Sequence, residues 1–174
     1  MMPFSILYVI NVIFFRTILL PIQYKKMEDA MKICEYLGEK GDFLKPFDNF
    51  EEYVQFYDMY LKNPAIHKYC HHGNKYYLWL PFKGWREENE GPFNITYYKS
   101  NQLYSMNSAW RGSHPKMVGK WFCVLAKLKD QPSSSWYSSE CEAVDWFSAP
   151  CSACSLPNSI GRNIEFNLRG LCER

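Results

Sequence analysis

The chain lacks an excess of charge of either sign. Twenty Lys and Arg stand against eighteen Asp and Glu, a net charge of +2 over 174 residues. No run of five like charges occurs, so there is neither a basic arm nor an acidic tail. Nucleic-acid recognition calls for a pI above about 9 with clustered Lys and Arg; the pI here is about 8.1. No nucleic-acid partner is expected. The phosphate-cradling glycine patterns of P-loops and dinucleotide folds are also missing, and no cofactor is expected. No Gly-x-Ser-x-Gly elbow exists, and Ser133, Ser134 and Ser135 beside Pro132 read as a loop. Glu140, Glu142 and Asp145 crowd together, but a glycosidase needs two carboxylates about 5–10 Å apart across a cleft, and nothing in the sequence marks one. With seven Cys and four His a Cys–His nucleophile has its residue types, yet disulfides consume thiols first. An enzyme is not expected.

Internal repeats are absent, and so is an uninterrupted apolar run of about 20 residues, the length that spans a membrane. Residues 1–15 are almost wholly apolar, Arg16 breaks the run, and 17–22 are apolar again. A secretion signal carries a positive flank before its apolar stretch and a small-residue cleavage site after it; here both are missing. Residues 1–17 are therefore expected to be an apolar N-terminal segment, signal or anchor. It runs into a strand over 17–23, and residues 18–174 form one domain.

What the chain does have is apolar and aromatic mass, 47% and 18% of its residues. That excludes a disordered chain, and the length is enough for one core without metal staples. Seven cysteines (Cys34, Cys70, Cys123, Cys141, Cys151, Cys154, Cys172) read as a disulfide framework with one left over. The sequon Asn94-Ile95-Thr96 suits a secreted glycoprotein and marks Asn94 as a glycosylation site. The alternative is an intracellular zinc domain, in which Cys151-Ser-Ala-Cys154 joins His67, Cys70, His71 and His72 around a tetrahedral ion.

Periodicity organises the first third. Over 24–37, Met27, Ala30, Ile33, Cys34 and Leu37 recur at three and four, with Gly38 in the position of a C′ glycine, predicting a helix. Asp48 with Glu51 predicts the capping box of a second helix, whose apolar face is Phe50, Tyr53, Val54, Tyr57 and Leu61. Pro64 lies past its end. Residues 76–82 and 121–128 are aromatic and β-branched enough to be strands, and shorter strands are expected over 134–138 and 164–168. Between 82 and 121 lie about 38 residues with few regular signals, too long for an ordinary connection and suited to a functional loop. The order predicts an α+β domain.

These landmarks resemble the C-type-lectin-like domain, over roughly residues 18–172. Ala30-x3-Cys34-x3-Gly38 is similar to a family helix motif, and Leu78-Trp79-Leu80 stands at the place of its Trp-Ile-Gly strand. Glu90-Gly91-Pro92-Phe93 resembles Glu-Gly-x-Trp, and Trp110 with Pro115 resembles a segment of the long loop. Trp121-Phe122-Cys123-Val124 and Trp136-x4-Cys141 resemble the strands that follow the loop. The tail, Phe166 to Cys172 with Leu-Arg-Gly-Leu-Cys, is similar to that of invertebrate extracellular multi-domain proteins.

The resemblance implies two helices flanking a small, mostly antiparallel, disulfide-stapled sheet with a long loop. It implies the bridges Cys34–Cys154 and Cys123–Cys141. Cys70, Cys151 and Cys172 remain; Cys70 is expected to pair with Cys151, and Cys172 with a partner or with further sequence. In sugar-binding members a Glu-Pro-Asn or Gln-Pro-Asp triplet, a later Glu and an Asn-Asp pair hold calcium. Here His114-Pro115-Lys116 stands at the triplet, Phe122 before Cys123, and Tyr137-Ser138 at the pair. Calcium takes six to eight oxygen ligands, and a lysine ammonium repels it. The expectation is a non-catalytic extracellular recognition or adhesion module, secreted or on the outer face of the membrane, that has lost the calcium-dependent sugar site and meets a protein or glycan. The alternative is a lectin using an unconventional aromatic site. The exposed loop aromatics Tyr97, Tyr98, Tyr104 and Trp110 are the expected ligand-binding residues, while Trp79, Trp121 and Trp136 are expected to pack.

Overall fold

In a computed structural model the backbone is described over residues 9–12, 15–20, 23–36, 42–43, 47–61, 71–72, 75–98, 100, 103–104, 108–127, 131–144 and 149–157. Among these residues two α-helices and nine strands follow in the order β1 (Val9–Val12), β2 (Phe15–Leu20), α1 (Met27–Tyr36), β3 (Asp42–Phe43), α2 (Phe50–Leu61), β4 (His71–His72), β5 (Lys75–Trp85), β6 (Asn94–Tyr97), β7 (Phe122–Lys127), β8 (Trp136–Ser139) and β9 (Ser152–Pro157), with a 3-10 turn at Pro132–Ser134. One sheet has the order β1-β2-β9-β3; the other runs β4-β5-β7-β8, with β6 paired to β5. All strand pairs are antiparallel. The two sheets meet at Cys151, whose N–H donates to Tyr77 O and whose carbonyl accepts from Trp79 N–H, both at 2.9 Å.

Strand β2 begins at Phe15, and Val9–Val12 pairs with it, so regular backbone pairing reaches upstream of residue 18. The strand expected over 164–168 lies outside the described residues. Helix α1 turns Met27, Ala30 and Cys34 inward, as the three–four spacing requires. Helix α2 is capped one residue later than Asp48. Asn49 Oδ1 accepts from Glu52 N–H at 2.9 Å, and Glu52 Oε2 reaches back to accept from Asp48 N–H at 2.9 Å. Tyr53, Phe56 and Tyr57, at three and four along the helix, are all buried.

β5 separates two cores. Leu78, Leu80 and Phe82 point to one, with Tyr53, Phe122, Val124 and Trp136; Trp79 points to the other, under α1 with Met27, Cys34, Cys123, Leu125 and Cys154. The β5–β7 register shifts between Trp79 and Lys83, four residues of β5 spanning two of β7. Pro81 lies in that bulge, where its missing N–H costs no ladder bond. The shift is even, so alternation survives and Lys83 and Trp85 stay on the face of Trp79. Beyond the bulge Gly84 pairs with Phe122. A Cβ there would sit 2.1 Å from Phe122 Cζ, so only glycine admits that ring.

Cys34 is bonded to Cys154 (Cα–Cα 5.3 Å) and Cys123 to Cys141 (5.0 Å). The first ties α1 to β9 across 120 residues; the second ties β7 to the segment after β8 across 18. Cys151 is also disulfide-bonded, its partner lying outside the described residues, as do Cys70 and Cys172. The zinc alternative fails on these bonds: both thiols of the Cys151–Cys154 pair are oxidised, and only a thiolate binds the ion.

Candidate functional site

The segment from 108 to 121 is held to β8 by its backbone. Trp136 N–H donates to Ala109 O at 2.8 Å, and Arg111 N–H donates to Trp136 O at 3.1 Å. Trp110 follows from these bonds: its ring stands edge-on to Trp136 (5.5 Å, 89°) and to Phe122 (6.4 Å, 80°). Tyr104 stacks on Phe82 at 4.4 Å and donates its hydroxyl hydrogen to Phe47 O at 2.6 Å. Burial, with the charges of Asp48 and Glu52, pushes its phenol up. Tyr97 and Tyr98 meet edge to face at 4.9 Å and pack against different cores, Tyr97 against that of Phe82 and Tyr98 against that of Trp79. The four aromatics are therefore spread along the contacts with the domain, half-buried, with Tyr97 and Tyr98 in direct ring contact. Asn94 opens β6, half-buried, paired with Trp85, and Thr96 of the same sequon is buried.

The triplet positions and the pair after Trp136 come together. The Ser138 backbone N–H donates to His114 Nδ1 at 3.2 Å, so that nitrogen is an acceptor. Lys116 N–H donates to Ser138 Oγ at 2.7 Å. The hydroxyl proton is left to donate to the same Nδ1, 2.9 Å away. The Tyr137 ring lies 5.0 Å from that of His114, and the Arg111 guanidinium sits over it at 5.5 Å. Burial first, then the charges of Lys116 and Arg111, hold the imidazole below its usual pKa. The peptide bond between His114 and Pro115 is cis. These positions thus bring together an accepting nitrogen, a hydroxyl, a phenol and one cation, with Arg111 as a second cation beside them. Among the described residues no group of three or more His, Cys, Asp or Glu is arranged to hold a metal ion.

Trp79 and Trp136 are buried, as their strand positions predict, but Trp121 is 53% exposed. Its ring lies 4.8 Å from that of Trp85, which closes β5. The pair forms one wall of an open groove of about 420 Å³ between the 86–89 turn and the 117–121 segment. Alternation along β7 signals that Trp121 faces the side of Cys123 rather than that of Phe122, but not that this side is bare.

No protein-family model matches the chain, and no curated protein sequence does. Solved structures do. The chain is similar to CEL-IV at 12% identity, with a TM-score of 0.59 over 86% of this chain and 91% of that one. Rhodocetin (15% identity, 86% and 94% covered) and botrocetin (11%, 86% and 95%) align with TM-scores of 0.48 each. The likeness to CEL-IV concerns the fold alone. Two helices, small antiparallel sheets, a long strapped loop and two disulfides at α1–β9 and at the loop's base make this a C-type-lectin-like fold.

Proposed function

We propose that the chain is a non-catalytic recognition module that works outside the cell and binds a protein or glycan without calcium. One observation carries the reading: the positions that resemble the calcium-holding triplet and pair meet as His114, Lys116, Tyr137 and Ser138, closed on one another by hydrogen bonds and flanked by Arg111. A hard cation needs six to eight oxygens, several of them carboxylates; this cluster supplies cations and a ring nitrogen instead. The disulfides support an oxidising compartment, and no helix among the described residues is long and apolar enough to cross a membrane.

Ser138 Oγ beside His114 also has the spacing of an activated nucleophile. Against that reaction, Ser138 is only 7% exposed, and its Oγ is already engaged by the Lys116 N–H. The absence of catalysis thus belongs to the proposal. A glycan-binding reading finds support in the exposed Trp121 beside Trp85.

Thermal unfolding with millimolar calcium against EDTA tests the reading. A ligand at a hundred times its Kd adds about 2.7 kcal/mol to the folded state, a shift of several degrees for a domain of this size. Equal midpoints are expected; a clear rise with calcium overturns the reading.

A further inference from the structure

The geometry points to the Trp85–Trp121 groove as a binding site for an uncharged pyranose sugar of a glycan, independent of calcium. This rests on the reading of the chain as a recognition module and gives that module a site and a ligand class.

The ladder places the two indoles. Lys83 pairs with Cys123 and Gly84 with Phe122, so the next rung sets Trp85 against Trp121, on the sheet face away from Phe122. That face is covered at Trp79, Leu125 and Cys123 by α1, whose first residue, Met27, already touches Cys123. The helix begins there, so the next rung receives no cover from it, and a large indole stays 53% exposed. Gly84 contributes from the other side, since its missing Cβ lets Phe122 be drawn fully inward while its neighbour Trp121 stays out.

The rest of the groove suits a neutral polyhydroxylated ligand. Arg86 and Lys120 balance Glu87 and Glu88, and Asn89 adds an amide. An anion would meet the two carboxylates and a cation would meet the two basic groups. A pyranose has an apolar C–H face to lie on an indole and a rim of hydroxyls that both donate and accept, which this mixture of groups matches. Arg86 is held by its guanidinium 5.0 Å from the Phe93 ring centroid, and the turn is closed by Gly91 N–H donating to Glu88 O at 3.1 Å. The volume, about 420 Å³, lies within the roughly 300–1,000 Å³ of small-molecule sites.

The test is a panel of neutral oligosaccharides of glucose, galactose, mannose and N-acetylglucosamine, read on an array and by tryptophan fluorescence titration, with and without EDTA. Saturable binding unaffected by EDTA is expected. It should weaken at least about tenfold in Trp121→Ala, which is about 1.4 kcal/mol, and be largely kept in Trp121→Phe, which retains a flat ring. Because Trp121 is exposed, the alanine variant should unfold at the wild-type midpoint, separating lost binding from lost fold. EDTA-insensitive binding that survives Trp121→Ala overturns this site and leaves the recognition module standing. Binding that requires calcium and ignores Trp121 overturns the calcium-free module as well. No saturable binding to any of these sugars overturns the glycan assignment.

Discussion

The Ser138 hydroxyl lies 2.9 Å from His114 Nδ1, and the Ser138 N–H donates to that same nitrogen at 3.2 Å. Two donors from one residue converge on one lone pair, so protonating that nitrogen removes the acceptor of the Ser138 N–H. Burial and the neighbouring Lys116 and Arg111 charges act in the same direction, holding the imidazole below its ordinary value of 6.5.

A pH dependence of stability follows. With the folded pKa depressed, the unfolded chain binds the proton more readily, so the contribution is fully present above about pH 6.5 and is lost as pH falls through the folded value. Thermal midpoints taken from about pH 8 downward should decline below that point. In His114→Gln, which keeps an acceptor but does not titrate there, the decline should be shallower. Identical acid slopes for the two proteins would count against this role.

The Cys34–Cys154 and Cys123–Cys141 bridges should differ in weight. In the chain-entropy model the bridge across 120 residues contributes about 5 kcal/mol and the one across 18 about 3 kcal/mol. Urea unfolding of the paired alanine variants at Cys34 with Cys154 and at Cys123 with Cys141 measures both. The reverse order would mean that native packing, rather than loop closure, sets their worth.

Gly84→Ala should destabilise the domain by about 1–3 kcal/mol, the usual cost of overpacking, because the new methyl would meet Phe122 at 2.1 Å. Adding Phe122→Leu should recover part of the loss, since the smaller side chain vacates that space. If the double variant is as unstable as the sum of the single ones, the clash is not the cause.

Removing the α2 cap by Asn49→Ala should cost about 1 kcal/mol. Glu51→Gln should change stability by less than about 0.5 kcal/mol, as an exposed site outside the cap. A larger effect at Glu51 than at Asn49 in denaturant unfolding would restore the Asp48–Glu51 box as the working cap.

That cap shows where reading a sequence stops. Asp48-Asn49-Phe50-Glu51-Glu52 contains two overlapping capping boxes, and the local chemistry of either is satisfactory. Which is used depends on the rotation of the helix that best buries Tyr53, Phe56 and Tyr57 against Phe47 and Trp136. β6 is similar: Asn94-Ile-Thr-Tyr is too short to stand out among the loop residues, and it is a strand because Phe82–Trp85 offers an open edge.

The two helices, the aromatic strands around the long loop and the presence of disulfides were legible in the residue order, because periods of 3.6 and 2 and the chemistry of cysteine are local properties. The remaining features come from how the elements pack. Whether Trp110 packs and Trp121 stays about half exposed, and whether His114 meets Ser138 at hydrogen-bonding distance, depends on where α1 begins over the sheet and how the loop is strapped to β8. Burial is the relation of one element to another, and no single segment carries it.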